Sequence, residues 1–95
     1  MLNSKQRAKL RSMANNYDTL FQVGKAGLTE NVYVQIDEAL EARELIKIRV
    51  LETSMVSAKE AAVEIAEHCN CDIVGAIGSK VILYRPSKTN KRIEL

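Results

Sequence analysis

Thr19-Leu20-Phe21-Gln22-Val23-Gly24-Lys25-Ala26-Gly27-Leu28-Thr29 changes its structural signal halfway along. Residues 19–23 form a short β-branched and aromatic run that reads as a strand, and Thr29 followed by Glu30 reads as the start of a helix. The turn between them is Gly24-Lys25-Ala26-Gly27. Two glycines bracketing two residues allow positive φ and let a bulky anion approach without meeting a Cβ. The loop leads into a helix N-terminus, where unpaired N–H groups and the positive end of the macrodipole face the same space. Lys25 adds a mobile charge. Gly24, Lys25, Ala26, Gly27 and the cap Thr29 therefore outline a phosphate clamp. A glycine at a strand-to-helix turn also arises for geometric reasons alone, and the bare spacing does not choose between the two. Gly75-Ala76-Ile77-Gly78 has the same spacing inside an apolar strand run with no helix start after it, and reads as structural.

Outward from the turn, the pattern alternates. Upstream, Asn3 or Ser4 can cap a helix running to about Ala14, with Leu10, Met13 and Ala14 on its apolar side and Asn15-Asn16 ending it. Downstream, Val32, Ile36, Ala39, Leu40 and Arg43 recur at helical spacing over 30–43, and Leu28 can staple onto Tyr33. Residues 45–51 alternate, Ile46, Ile48 and Val50 against Lys47 and Arg49, as a strand with one buried face. Ser57-Ala58-Lys59-Glu60 is a capping box opening a third helix with Ala58, Ala62, Ile65, Ala66 and Cys69 inward and Glu60, Glu64 and Glu67 outward. Residues 73–77 and 80–85 are two strands joined by the hairpin turn Gly78-Ser79. Pro86 stops the last one, residues 87–92 are polar and basic, and Ile93-Glu94-Leu95 either adds a short edge pairing or frays. The expected fold is α/β: one compact domain over residues 1–95, ordered α-β-α-β-α-β-β, with a four-stranded mixed sheet packed by helices.

Ninety-five residues suffice for one modest core. No apolar run approaches the roughly 18 residues of a membrane span, and the basic, polar N-terminus has no apolar signal region, so a cytoplasmic protein without membrane contact is expected. The net charge is only +2, but its distribution is uneven. Lys5, Arg7, Lys9, Arg11 and Lys25 face only Asp18 in residues 1–25; Lys80, Arg85, Lys88, Lys91 and Arg92 face only Glu94 in residues 73–95. Residues 26–72 hold ten acidic and four basic side chains. If both ends fold onto the side of the glycine loop, they form a positive face for a polyanion; the same segregation also serves plain solubility.

Catalytic chemistry is missing. The single His, His68, stands beside Cys69 and Cys71, too few ligands for a structural zinc site and no basis for a Cys-His or Ser-His-Asp set. Asp37, Glu38, Glu41 and Glu44 read as a solvated helix face rather than an acid and base pair. Gly24-Lys25 is not a Walker A loop. No enzyme activity, cofactor, metal or small-molecule substrate is expected. With three Tyr, one Phe and no Trp, the chain also lacks a base-stacking platform, and backbone recognition of folded RNA fits better.

Lys5-Gln6-Arg7 in a basic first helix, Val23-Gly24-Lys25-Ala26-Gly27-Leu28-Thr29, Ala39-Leu40-Glu41 leading to Glu44-Leu45-Ile46-Lys47, and Val81-Ile82-Leu83-Tyr84-Arg85-Pro86 together resemble the bacterial stand-alone CRM domain, the YhbY family, over nearly the whole chain. The resemblance implies an RNA-binding domain with a fold similar to the C-terminal domain of translation initiation factor three, a GxxG loop similar to that of KH domains, and association with precursors of the large ribosomal subunit. Gly24 and Gly27 would then shape an RNA-facing loop, with Lys25 within it on the strength of its charge. The expectation is a noncatalytic assembly factor binding large-subunit rRNA through Gly24, Lys25, Ala26, Gly27 and Thr29, with Lys5, Arg7, Lys9, Arg11, Arg85 and Lys88 on phosphates. The alternative is a protein-interaction module whose acidic helices dock on a basic ribosomal protein.

Overall fold

A computed structural model describes residues 2–89 and 91–95, so Asn90 in the polar 87–92 stretch lies outside the described residues. Seven elements follow in the expected order: α1 Ser4–Ala14, β1 Gln22–Val23, α2 Glu30–Arg43, β2 Leu45–Val50, α3 Ala58–Cys69, β3 Asp72–Ile77 and β4 Lys80–Tyr84. Local chemistry sets the helix starts. Asn3 and Ser57 cap α1 and α3 in reciprocal boxes with Gln6 and Glu60, and Thr29 Oγ1 accepts from the Val32 amide at 3.3 Å. Asn70, in the left-handed region with φ 53, ends α3.

The sheet order is β1-β2-β4-β3, with β1 parallel to β2 and the other pairs antiparallel. β1 is shorter than the strand read at 19–23, although the Leu20 amide still donates to Lys47 O at 2.8 Å. Alternation along β2 and β4 sends Ile46, Ile48, Val50, Val81 and Leu83 to one face, under α2 and α3 with Ile36, Leu40 and Ile65. Leu45, Ile82 and Tyr84 turn to the other face, where Leu10 and Ala14 of α1 cover them together with Leu2, Val74 and Ile93. Each fully buried Leu or Ile contributes roughly 1.5–3 kcal/mol of burial free energy, so the two clusters hold the sheet from both sides. Ile93 neither frays nor pairs as a strand: it closes the α1 cluster, 9% exposed.

The acidic face read on α2 is different in the structure. Glu44 is wholly buried, adopts φ 66 at the end of α2, and accepts from the amides of Ser87 at 2.8 Å, Ile93 at 2.7 Å and Arg92. Glu41 accepts from the Ser87 hydroxyl at 2.6 Å and the Thr89 hydroxyl at 2.9 Å. The sequence hid this because the donors, backbone amides and two hydroxyls, lie more than forty positions away, which no helical periodicity records. Two carboxylates thus fasten the C-terminal segment to α2.

Candidate nucleic-acid interface

β1 and β2 run parallel, so the loops leaving their C-terminal ends open at one end of the sheet, where α2 and α3 both begin. The Gly24 to Gly27 turn closes on itself, with the Gly27 amide donating to Gly24 O at 2.9 Å, and Lys25 and Ala26 stand exposed at its tip. Among the described residues no partner engages the amides of Lys25 and Ala26. Gly27 has φ 72, the left-handed region that favours glycine. Gly24 does not: its φ is ordinary, and an added Cβ would meet only Leu51 Cδ1 at 3.7 Å and Thr53 Oγ1 at 4.0 Å, ordinary contacts. The backbone therefore favours glycine at 27 and tolerates a side chain at 24. Thr29, expected at the site, is engaged as the α2 cap.

The termini do not gather at this loop. α1 packs mainly on β3, at the sheet edge opposite β1, and Arg7 Nε donates to Ile73 O at 3.3 Å. Lys9 Nζ donates to Glu94 O at 3.0 Å, while Lys5 is exposed. Arg11 lies over Gly75, whose added Cβ would stand 3.5 Å from its Nε. Arg85 is an internal fastener: its Nη1 bonds Asp37 Oδ1 at 2.5 Å and Cys69 O at 2.9 Å, and its Nη2 bonds Asp37 O at 3.0 Å. Lys88 gives its amide to Glu41 at the α2 end of the molecule remote from the glycine turn. Of the cations expected on phosphates, the glycine-loop end keeps Lys25; Arg49 and Lys80, which are not among them, join it there, both exposed. The signal for those two was the outward phase of the 45–51 alternation and the residue just after the hairpin turn.

Cys69 is a buried core thiol, and burial raises its pKa; burial pushes the Cys71 thiol up to about 12. His68 stacks on Tyr33 with centroids 3.8 Å apart. Among the described residues no group of three or more His, Cys, Asp or Glu is placed to hold a metal, and no helix is long and apolar enough to cross a membrane.

Known proteins resemble this chain over most of its length. The CRS1 / YhbY (CRM) domain matches residues 2–85. The chain is 44% identical to "Probable RNA-binding protein YqeI" of Bacillus subtilis, covering 100% of this chain and 99% of that protein. It is 32% identical to an "RNA-binding protein" of Haemophilus influenzae, covering 95% and 91%. The solution structure of the hypothetical protein SAV1595 from Staphylococcus aureus superposes with a TM-score of 0.83 at 48% identity, covering 100% of this chain and 99% of that one. The helices and four-stranded mixed sheet are the fold shared with that structure. The chain belongs to the CRS1/YhbY (CRM) domain family, which is noncatalytic.

Proposed function

We propose that this chain is an RNA-binding protein that grips the phosphate backbone at the glycine-loop end of its sheet. The observation that carries the reading is the loop itself: an exposed Lys25 beside two amides without partners, at the start of a capped helix, framed by a Gly24 that the fold does not require. Relatives named as RNA-binding proteins support it. Within this reading the target is large-subunit rRNA in ribosomal precursors, met in the cytoplasm, and the protein acts as a noncatalytic assembly factor of CRM type spanning the chain. Gly24, Lys25, Ala26 and Gly27 contact or shape the RNA path and Thr29 sets the helix that aims the amides. Arg85 supports the scaffold instead, because its guanidinium bonds run to α2 and α3, while Lys88 gives only its backbone amide to Glu41 and keeps its side chain exposed.

Of the acidic docking alternative, Glu41 and Glu44 are bonded internally and Asp37 pairs with Arg85, while Glu30 and Glu38 of α2 and Glu60, Glu64 and Glu67 of α3 stay exposed. Ultraviolet crosslinking in cells followed by sequencing of the held RNA tests the proposal. The expected result is large-subunit rRNA joined at residues 24–29, with the crosslink lost in Lys25→Glu and weakened in Gly24→Ala while the melting temperature holds. Co-sedimentation with ribosomal particles without any RNA crosslink would move the contact to protein and to Glu64 and Glu67.

A further inference from the structure

The antiparallel register sets Arg49 of β2 directly opposite Lys80 of β4, and both side chains are exposed. Like charges directly opposed on one sheet face destabilise the pair. Among the described residues neither cation has an ion-pair partner; the salt bridge found there joins Arg85 to Asp37. The same row runs on across the sheet. Gln22 of β1 pairs with Arg49 and Ile77 of β3 pairs with Lys80; Gln22 is exposed and Ile77 is 59% exposed. Four strands at a spacing of about 4.8 Å make the row about 14 Å wide. The next row on this face, Lys47, Ile82 and Gly75, is where α1 begins to cover the sheet, and there Arg11 lies over Gly75. An uncovered strip is therefore left between α1 and the glycine-loop end, bearing two opposed cations with a third behind them.

We infer that Arg49 and Lys80, with Arg11 at the rear, form a track for RNA phosphates that continues the path from the glycine loop onto the sheet face opposite α2 and α3. Unbalanced, closely opposed cations are what an anionic backbone lying over them would neutralise, and the track begins where the loop ends: Val23 pairs with Val50, one residue beyond Gln22 and Arg49, and Gly24 follows. The row holds one aliphatic side chain and no aromatic one, so it contacts backbone rather than stacking bases. The inference rests on the RNA-binding reading above and specifies where the RNA runs.

The test is fluorescence anisotropy with two labelled probes, an oligouridylate of about 20 nucleotides and an RNA hairpin of similar length, titrated between about 50 and 400 mM salt. Two lost phosphate contacts should lower the salt slope by about 1.4–1.8 in magnitude, so the double variant Arg49→Gln, Lys80→Gln should bind about 25- to 60-fold more weakly at 0.1 M salt. Its melting temperature without RNA should be unchanged or higher, because an opposed like-charge pair is gone. The charge-keeping variant Arg49→Lys, Lys80→Arg should retain slope and affinity. If the double Gln variant keeps both while Lys25→Gln loses them, the track is overturned and the RNA-binding reading stands. Loss of binding accompanied by a melting temperature lower by more than about 4 °C would assign the pair a structural role and overturn the track as well. Poly-L-glutamate competing as well as the RNA, charge for charge, would make the surface one for acidic polypeptide. A wild-type chain that binds neither probe removes the RNA-binding reading and the track together.

Discussion

Replacing Glu44 by Gln tests how the C-terminal segment is held. One carboxylate oxygen accepts from the Arg92 and Ile93 amides, the other from the Ser87 amide. Gln keeps one acceptor oxygen and turns the other position into an NH2 group, so at least one amide faces a donor. A hydrogen bond to a charged group is worth about 1.5–3 kcal/mol, and the two remaining bonds fall to the weaker neutral kind. Relief of the buried charge offsets part of this, leaving a loss of about 2 kcal/mol. At about 4–8 °C per kcal/mol for a domain of this size, the melting temperature should fall by roughly 8–16 °C. The pH dependence gives the sign. Burial opposes the Glu44 charge most strongly, yet the amides of Ser87, Arg92 and Ile93 and the charge of Lys91 outweigh it and hold the pKa below the ordinary 4.5. Stability from the carboxylate is therefore fully present above 4.5 and is lost as pH falls through the lower folded value. Thermal melts followed by circular dichroism should show a wide gap between the wild type and Glu44→Gln at pH 7 that narrows below pH 4.5. A gap that stays constant down to pH 2, or that is absent at pH 7, would refute the argument.

Glu41 should report the same segment separately: the Ser87 hydroxyl, the Lys88 amide and the Thr89 hydroxyl hold its pKa at about 2, so its contribution is present above 4.5 and disappears as pH falls through about 2, seen as faster amide exchange at Lys88 and Thr89. Arg85→Lys should cost about 1–2 kcal/mol in urea titrations, because an ammonium cannot reproduce the fork to Asp37 and Cys69; an unchanged midpoint would show that the fork does not stabilise the fold. Native Cys71 should alkylate with iodoacetamide at least about 100-fold more slowly than in urea, since burial pushes its pKa up to about 12, and Cys69, whose pKa burial also raises, should likewise be slowed. Gly27→Ala should lower stability by about 1–2 kcal/mol through its φ of 72, whereas Gly24→Ala should change it by no more than about 0.5 kcal/mol.

Much of the architecture was legible because local signals agree. Caps at Asn3, Thr29 and Ser57, the alternation around Ile46 and Ile48, and the Gly78-Ser79 turn each act within a few residues of themselves. Of the candidate site, the turn at Gly24 to Gly27 was legible for the same reason. What escaped reading depends on distant pairing. Arg85 resembled a surface cation until β4 delivered it between α2 and α3, and Glu44 resembled a solvated acid until the chain returned to cover it. Net charge by segment did not show how the two basic ends part: sheet order carries α1 to the far edge and the C-terminal segment to the end of α2, while Arg49, from an acidic stretch, arrives beside Lys80.

β4, the last strand among the described residues, is not at the margin of the sheet but inside it, between β2 and β3. β2 waits for Val81 to Tyr84 to complete its pairing, and its earlier partner β1 offers only Gln22 and Val23. A nascent chain that has released α1 to α3 from the ribosome therefore still has its central seam open, with Ile46 and Ile48 lacking cross-strand neighbours. Closure of the sheet during synthesis thus waits until β4 has emerged, and a version truncated before residue 80 should be unable to fold and prone to aggregate.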